Sequence, residues 1–292
     1  MRKTLDEKVC AVIVHVVIVF LCALCLVPVL YSLSASLSSG AALDAGKVFL
    51  WPVDITFAAY KMLLLRNNLA QYFTNSVILT VVGTVLSIAA TILCAYPLSK
   101  KYLWQRRRIS FFATFTMLFG GGMIPTFMLV RNLNLINSYW SIWLTGLIST
   151  YNMMIMRSSF EAIPEDLEDA ARIDGCGEFR LLTQIYLPLS KANLATEVLL
   201  YGVGYWNMYQ KVMLYMQDTK KYTLPVFIQQ MVFNLQQMDL DTVEAVSMGA
   251  SNLVSESVKS AGVVILIVPM LVVYPFLQKY FVKGVTLGAV KG

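Results

Sequence analysis

Six stretches of this 292-residue chain are apolar for long enough to cross a bilayer, near residues 9–34, 73–98, 109–131, 138–158, 190–214 and 258–281. Hydrocarbon offers no partner to an exposed peptide group, so a spanning segment must close its hydrogen bonds internally, as a helix does. Runs of about 20 residues match a helix crossing roughly 30 Å of hydrocarbon and exceed any barrel strand. The sequence therefore predicts an all-α membrane protein with about six transmembrane helices. Only 14% of residues are charged and 58% are hydrophobic, whereas soluble domains carry about 25% charged residues.

Lysine and arginine give the orientation. With the N-terminus inside, fifteen of the 23 basic residues fall on cytoplasmic segments, among them Lys100, Lys101, Arg106, Arg107 and Arg108, as the positive-inside bias requires. The net charge of +6 thus belongs to membrane topology. No basic stripe with interleaved aromatics points to nucleic acid. Cys22 and Cys25 form a CxxC pattern within the first span, where they read as two small hydrophobes on one face. His15 is the single histidine, so a His-based metal site is not expected, and it reads as a polar group facing the bundle. Ser34-Ala35-Ser36 has the small-residue character of a cleavage site. The apolar run before it exceeds the roughly 7–15 residues of a signal peptide core, which favours an uncleaved first helix.

Between the fourth and fifth spans lies a polar island, residues 161–189. Pro164 suits a first helical turn. Glu165, Asp166, Glu168 and Asp169 follow where the helix dipole favours acids. Ile163, Leu167, Ala170 and Ala171 share one face. Gly175 supplies a left-handed stop. A second helix over about 178–187 is expected to bury Phe179, Leu182, Ile185 and Tyr186 and to end at Pro188. An element with a start, a stop and an apolar face reads as a docking surface for a soluble partner rather than a solvated linker.

At this point the residues carry a resemblance. Asp169-Ala170-Ala171, Asp174-Gly175 and Ile185-Tyr186-Leu187-Pro188 resemble the EAA loop of bacterial ABC importer permeases, written E-A-A, D-G and I-x-L-P. Trp206-Asn207, Thr223-Leu224-Pro225 and the ending from Tyr274 to Gly292 resemble carbohydrate permeases of the MalG-like group, in particular its LplC subgroup. The resemblance implies a MalG/MetI-like permease fold: an N-terminal helix and outer loop over 1–72, a core over 73–281 and a cytoplasmic tail over 282–292. It also implies uptake of sugars, oligosaccharides and uronate-containing ones among them, across a bacterial cell membrane, with both termini cytoplasmic. Glu168, Asp169, Ala170, Ala171, Asp174, Gly175, Leu187 and Pro188 would couple to a cytoplasmic ATPase. Gly288, Lys291 and Gly292 would contact that ATPase from the tail. The implied partners are a second related permease, an ATPase pair, an extracellular sugar-binding protein and membrane lipid. ATP and Mg would sit in the ATPase, with no cofactor in this chain. One departure is that Asp169 stands in place of the leading glutamate, with Glu168 just before it, which leaves open which carboxylate meets the ATPase.

Other features bear on the path. Gly120-Gly121-Gly122 and Pro125 should bend or break the third span, as a hinge or for close packing. Tyr151, Asn152, Trp206 and Asn207 are candidates for the sugar path, because sugars use aromatic faces and amide hydrogen bonds; packing or an interfacial aromatic belt is the alternative. Glu197 is an intramembrane carboxylate, the one feature that favours a self-contained secondary transporter or channel. The glycine-bearing tail lacks G-x-x-x-x-G-K-[ST], and neither HExxH nor a nucleophile elbow occurs, so an enzyme is not expected.

Overall fold

The computed structural model describes residues 5–65, 69–241 and 255–289. Its regular elements are helices. The first are α1 Leu5–Ser36, α2 Gly40–Asp44, α3 Ala58–Leu65, α4 Leu69–Ser99, α5 Arg106–Leu118, α6 Met123–Asn132, α7 Trp140–Thr145 and α8 Thr150–Glu161. The island holds α9 Glu165–Ile173, α10 Glu178–Leu181, a π-helical turn Leu182–Tyr186 and α11 Leu187–Leu189. Then come α12 Lys191–Trp206, α13 Gln210–Tyr215, a 3-10 turn Thr219–Lys221, α14 Leu224–Asp241 and α15 Ser255–Ala289.

Three uninterrupted helical stretches among the described residues are apolar and long enough to cross a membrane: Cys10–Ser36, Leu69–Ser99 and Glu256–Pro275. The other three expected spans are broken. Arg106–Leu118 and Met123–Asn132 meet at 112°, with Gly122 at φ 82° in the break, as the glycine run predicts. The fourth splits into α7 and α8, and the fifth into α12 and α13. These last two breaks were not expected.

The chain forms two compact units, Met1–Leu69 with Ile228–Val268 and Ala70–Phe227 with Pro269–Gly292. In the first, serines in the last turn of α1 and just past it knit the following loop. Ser34 Oγ donates to the Leu50 carbonyl at 2.6 Å, Ser38 Oγ accepts from the Val53 amide at 3.0 Å, and Ser36 Oγ meets Tyr60 OH at 2.9 Å. Residues 12–30 of α1 are exposed among the described residues. His15 is one of them. Its Nδ1 lies 2.6 Å from the Ala11 carbonyl of its own helix.

In the second unit α4 packs on α12 along a stripe of small residues. Tyr205 OH meets Ser87 Oγ at 2.9 Å, and Tyr201 OH meets Thr91 Oγ1 at 2.7 Å. Gly83 lies under the Tyr205 ring, where an added Cβ would come within 2.8 Å of it. The same tyrosines serve the break in the fourth span. Tyr201 OH accepts from the Ser149 amide at 3.0 Å, and Tyr205 OH donates to the Gly146 carbonyl at 3.3 Å. Peptide groups freed by the interruption are thus paired inside the protein, as lipid demands. By this ladder Glu197, one turn before Tyr201, sits level with Ala95. It is fully buried, and neither carboxyl oxygen has a hydrogen-bond partner.

Two outcomes follow for purified protein in detergent. Gly83→Ala should lower Tm, since overpacking costs about 1–3 kcal/mol and the doubly bonded Tyr205 ring cannot yield. Gly204→Ala, where a Cβ meets nothing within 4 Å, should hold or raise it by helix propensity, roughly 1 kcal/mol. Glu197→Leu should raise Tm, because an unpaired buried polar group costs about 1–3 kcal/mol; a fall would mean the carboxyl has a partner in the native membrane state.

Candidate functional site: the docking island and its anchor

The island is two short helices joined at Gly175. Its φ of 76° closes α9: the Cys176 amide donates to the Ala171 carbonyl at 2.9 Å and the Gly175 amide to the Arg172 carbonyl at 3.0 Å. This left-handed closure is the one expected of glycine.

Beneath the turn lies a charge cluster anchored on the end of α4. Lys100 is 4% exposed, and its Nζ donates to Glu168 Oε2 at 2.6 Å. Tyr186 OH donates to the same oxygen at 2.7 Å. Arg172 Nε and Nη2 reach Oε1 at 3.0 and 2.7 Å. Arg172 also bridges to Glu178, which accepts from Tyr96 OH at 2.7 Å and Tyr102 OH at 3.1 Å. The Lys100 ammonium sits 3.8 Å from the Tyr186 ring centroid and 4.5 Å from that of Tyr96. Tyr96, Phe160 and Tyr186 pack edge to face around it at 5.2–6.1 Å.

Burial alone would raise the Glu168 carboxyl, but bonds from Lys100, Tyr186 and Arg172 outweigh it and hold it at about 2. Glu178 is lowered too: its bonds from Tyr96, Arg172 and Tyr102 overcome the effect of burial. Burial also lowers Lys100, which its bond to Glu168 only partly offsets. The carboxylate's direction governs the pair, because Glu168 gathers three donors while Lys100 has one anionic acceptor.

This arrangement corrects the expected inward faces. In α9 the buried positions are Glu168, largely, and Ala171, whereas Leu167, Asp169 and Ala170 are exposed. Glu168 displaces the apolar face because Lys100 awaits it inside. In the second helix Phe179 is 78% exposed while Leu181, Leu182 and Tyr186 are buried. Glu178 stays half exposed while accepting from Tyr96, and Phe179, one residue on, faces outward. Pro188 does not end the helix, which continues to Leu189. The Leu187 amide bonds the Leu182 carbonyl, five residues back, and this wider turn accommodates the proline ring.

The outer surface therefore presents Asp169, Ala170, Ile173, Asp174 and Phe179, with Ile173 86% exposed. The structure brings Glu168, Asp169, Ala170, Ala171, Asp174 and Gly175 together in one turn-and-helix unit, with Leu187 and Pro188 at its far end.

Residues 48–287 match the family model described as binding-protein-dependent transport system inner membrane component. The chain belongs to this family. It is 38% identical over 92% of its length, and 93% of the relative's, to the polygalacturonan/rhamnogalacturonan transport system permease protein YtcP of Bacillus subtilis. It is 36% identical to Protein LplC of the same organism, covering 92% and 90% of the two chains. A crystal structure of a bacterial ABC transporter that imports the acidic polysaccharide alginate matches with TM-score 0.84 at 34% identity, over 96% of this chain and 99% of that one. Another alginate transporter chain shares the fold at TM-score 0.59 and 14% identity, over 93% of each chain.

As a family member this permease is a non-catalytic membrane component. The reading as a self-contained transporter or channel is overturned by that membership, and Glu197 has no coupling role to fill. The path candidates do not converge on one cavity. Trp206 is buried beside Phe73 at 6.0 Å and lines an apolar cavity of about 350 Å³ between α4, α12 and α15. Asn152 is buried, and Tyr151 and Asn207 are exposed. In the tail, Gly288 continues the helix α15, while Lys291 and Gly292 lie outside the described residues. Among the described residues no His, Cys, Asp or Glu group could hold a metal.

Lys100, Tyr96, Tyr102, Glu178 and Tyr186 have no coupling role in the motif reading. The available signal was Lys100 at the end of a 31-residue apolar helix, where the positive-inside bias already accounted for it.

Lys100→Met should leave Glu168 short of its principal partner and cost about 3–5 kcal/mol; adding Glu168→Leu should recover much of that. Hydrogen exchange of amides 163–190 reads both. The depressed carboxyl also fixes a pH dependence: its stabilisation is fully present above pH 4.5 and disappears as pH falls toward 2. Island amides should therefore keep constant protection from pH 7 to 5 and lose it only in stronger acid.

Proposed function

We propose that this permease forms half of the translocation path of an ATP-driven importer of oligosaccharides, uronate-containing ones in particular. A second related permease completes the path, an external sugar-binding protein delivers the sugar, and a cytoplasmic ATPase pair holds ATP and Mg. The island seats in the ATPase, with Asp169 and the apolar Ala170, Ile173 and Phe179 as the contact face. Both termini lie on the ATPase side, in line with the basic bias of the segments flanking the spans. The tail through Gly288, Lys291 and Gly292 adds a second contact.

The observation that carries this reading is the orientation of the two adjacent carboxylates. Glu168 is consumed inside by Lys100, Tyr186 and Arg172, while Asp169 remains on the exposed side of α9. The outward acid is thus the one positioned for a partner, and the inward acid fixes the platform beneath it. The uronate preference draws support from relatives whose names specify polygalacturonan, rhamnogalacturonan and alginate.

Asp169→Lys should leave the permease in the membrane fraction and abolish co-purification of the ATPase. Gly175→Ala should weaken the same association, since a left-handed residue with a Cβ costs about 1–2 kcal/mol in open space. Normal assembly and uptake in Asp169→Lys would overturn the docking role.

A further inference from the structure

The turns at the opposite end of the Ala70–Phe227 segment form a second polar site. Near the start of α4, Gln71 and Asn75 donate to the Lys220 carbonyl at 3.0 and 2.7 Å. At its end, Tyr96 and Lys100 meet the island. The 31 residues of α4 rise about 46 Å, more than the roughly 30 Å of bilayer hydrocarbon. The 215–222 turn therefore lies on the membrane face away from the island.

There a cavity of about 480 Å³ is lined by Phe127, Arg131, Asn134, Ile136 and Gln217, within the size range of ligand sites. Arg131, Asn134 and Gln217 are exposed, and the turn behind Gln217 is held by hydrogen bonds. Asn137, at φ 62°, donates its amide to the Tyr215 carbonyl at 2.8 Å. Its Oδ1 accepts from the Gln217 and Asp218 amides at 3.3 and 3.2 Å. Lys221 Nζ donates to the Asn137 carbonyl at 2.6 Å. Phe127 lies parallel to Tyr215 at 6.2 Å.

The Arg131 guanidinium is the cation of this cavity, and it makes no ion pair among the described residues. It is not needed as a helix cap either. The Leu133, Asn134 and Leu135 amides donate to the Leu129, Arg131 and Val130 carbonyls at 3.0–3.1 Å. Asp218, which follows the lining residue Gln217, accepts from the Lys220 amide with its carboxylate at 2.9 Å. An unpaired planar cation suits a carboxylate held by two parallel bonds. Two amides beside it suit hydroxyls, and an aromatic lining residue, Phe127, suits a sugar ring.

We propose that this cavity is an entry subsite for one uronate residue of the transported oligosaccharide. Arg131 binds the carboxylate, and Asn134 and Gln217 bind hydroxyls. The assignment rests on the importer reading above. A phospholipid headgroup would use Arg131 without the amides, so the cavity as a whole favours the sugar.

The test uses the complete importer, both permeases with the ATPase pair, in vesicles of neutral lipid and of neutral plus anionic lipid. Saturating binding protein presents either oligogalacturonate or its methyl ester. Arg131→Gln should cut uptake of the acid about 10-fold, leave ester uptake and binding-protein-stimulated ATP hydrolysis within about twofold, and be partly rescued by Arg131→Lys. Gln217→Leu should lower uptake of both sugars. Unchanged acid uptake in Arg131→Gln, or an equal fall for acid and ester, overturns the subsite while the importer stands. A defect seen only with anionic lipid assigns Arg131 to headgroups and also overturns it. Uptake of the ester but not the acid by the unmodified importer overturns both the subsite and the uronate preference. Uptake of neither, without stimulated ATP hydrolysis, overturns the importer reading itself.

Discussion

Lys100 follows the last residue of the 31-residue helix α4 and buries its charge against Glu168 of the island. Ion pairs on a protein surface contribute about 0–1 kcal/mol, because water screens them and two long side chains must be ordered. A buried pair behaves differently. Desolvation makes it costly to form, and removing one partner leaves a charge with nowhere to go. Here the cost is offset by three donors on Glu168, two aromatic faces on Lys100 and three mutually packed rings. Such a contact has no favourable half-open state. The island can move with the end of α4, but a small separation from it would strand two charges.

On the proposed docking role, that property decides how force leaves the island. The covalent links to neighbouring helices are short turns, at Ala162–Pro164 and at Ser190. Turns bend, whereas the Lys100 cluster joins the island sideways to a 31-residue helix. Along its length α4 is bonded to the 220–222 turn, to Trp143 through the Leu79 carbonyl, and to Tyr205 and Tyr201. A displacement applied at α9 is therefore shared by elements on both membrane faces. The apolar exterior of Ile173 and Phe179 completes the device, since a partner that covers it gains hydrophobic contact next to a fixed acid.

How much of this was legible in the sequence differs by kind of signal. Apolar block length and the glycine run located the spans and the sharp break at Gly122, because lipid leaves backbone little choice. The island's stop at Gly175 was legible because glycine takes the left-handed conformation without the cost of a Cβ. The inward and outward faces of the island were not. Periodicity ranked Leu167 and Phe179 as buried on hydrophobicity. The structure instead buries Glu168 and bonds the half-exposed Glu178, because their partners Lys100 and Tyr96 come from 68 and 82 residues earlier. No local pattern encodes a pairing over that distance. The Arg131 cavity was hidden likewise, since Gln217 reaches it only through the turn that Asn137 organises 80 residues away.

The unexpected breaks in the fourth and fifth spans share a cause with the packing of α4. Interrupting a membrane helix exposes peptide groups that lipid cannot satisfy. In the fourth span those groups at Gly146 and Ser149 are met by Tyr205 and Tyr201, the same hydroxyls that reach Ser87 and Thr91 on α4. A phenylalanine at 201 would fill the space and remove the bonds to both the Ser149 amide and Thr91, whereas at 205 Ser87 still reaches the Gly146 carbonyl. The two tyrosines thus make the interruption and the helix crossing one structure. Because α8 runs from this interruption to the island, and Asn193 on α12 bonds Ser159 near its far end, α8 is tied to α12 at both ends. At the gap and at the far end of α8, polar side chains of α12 make the connection.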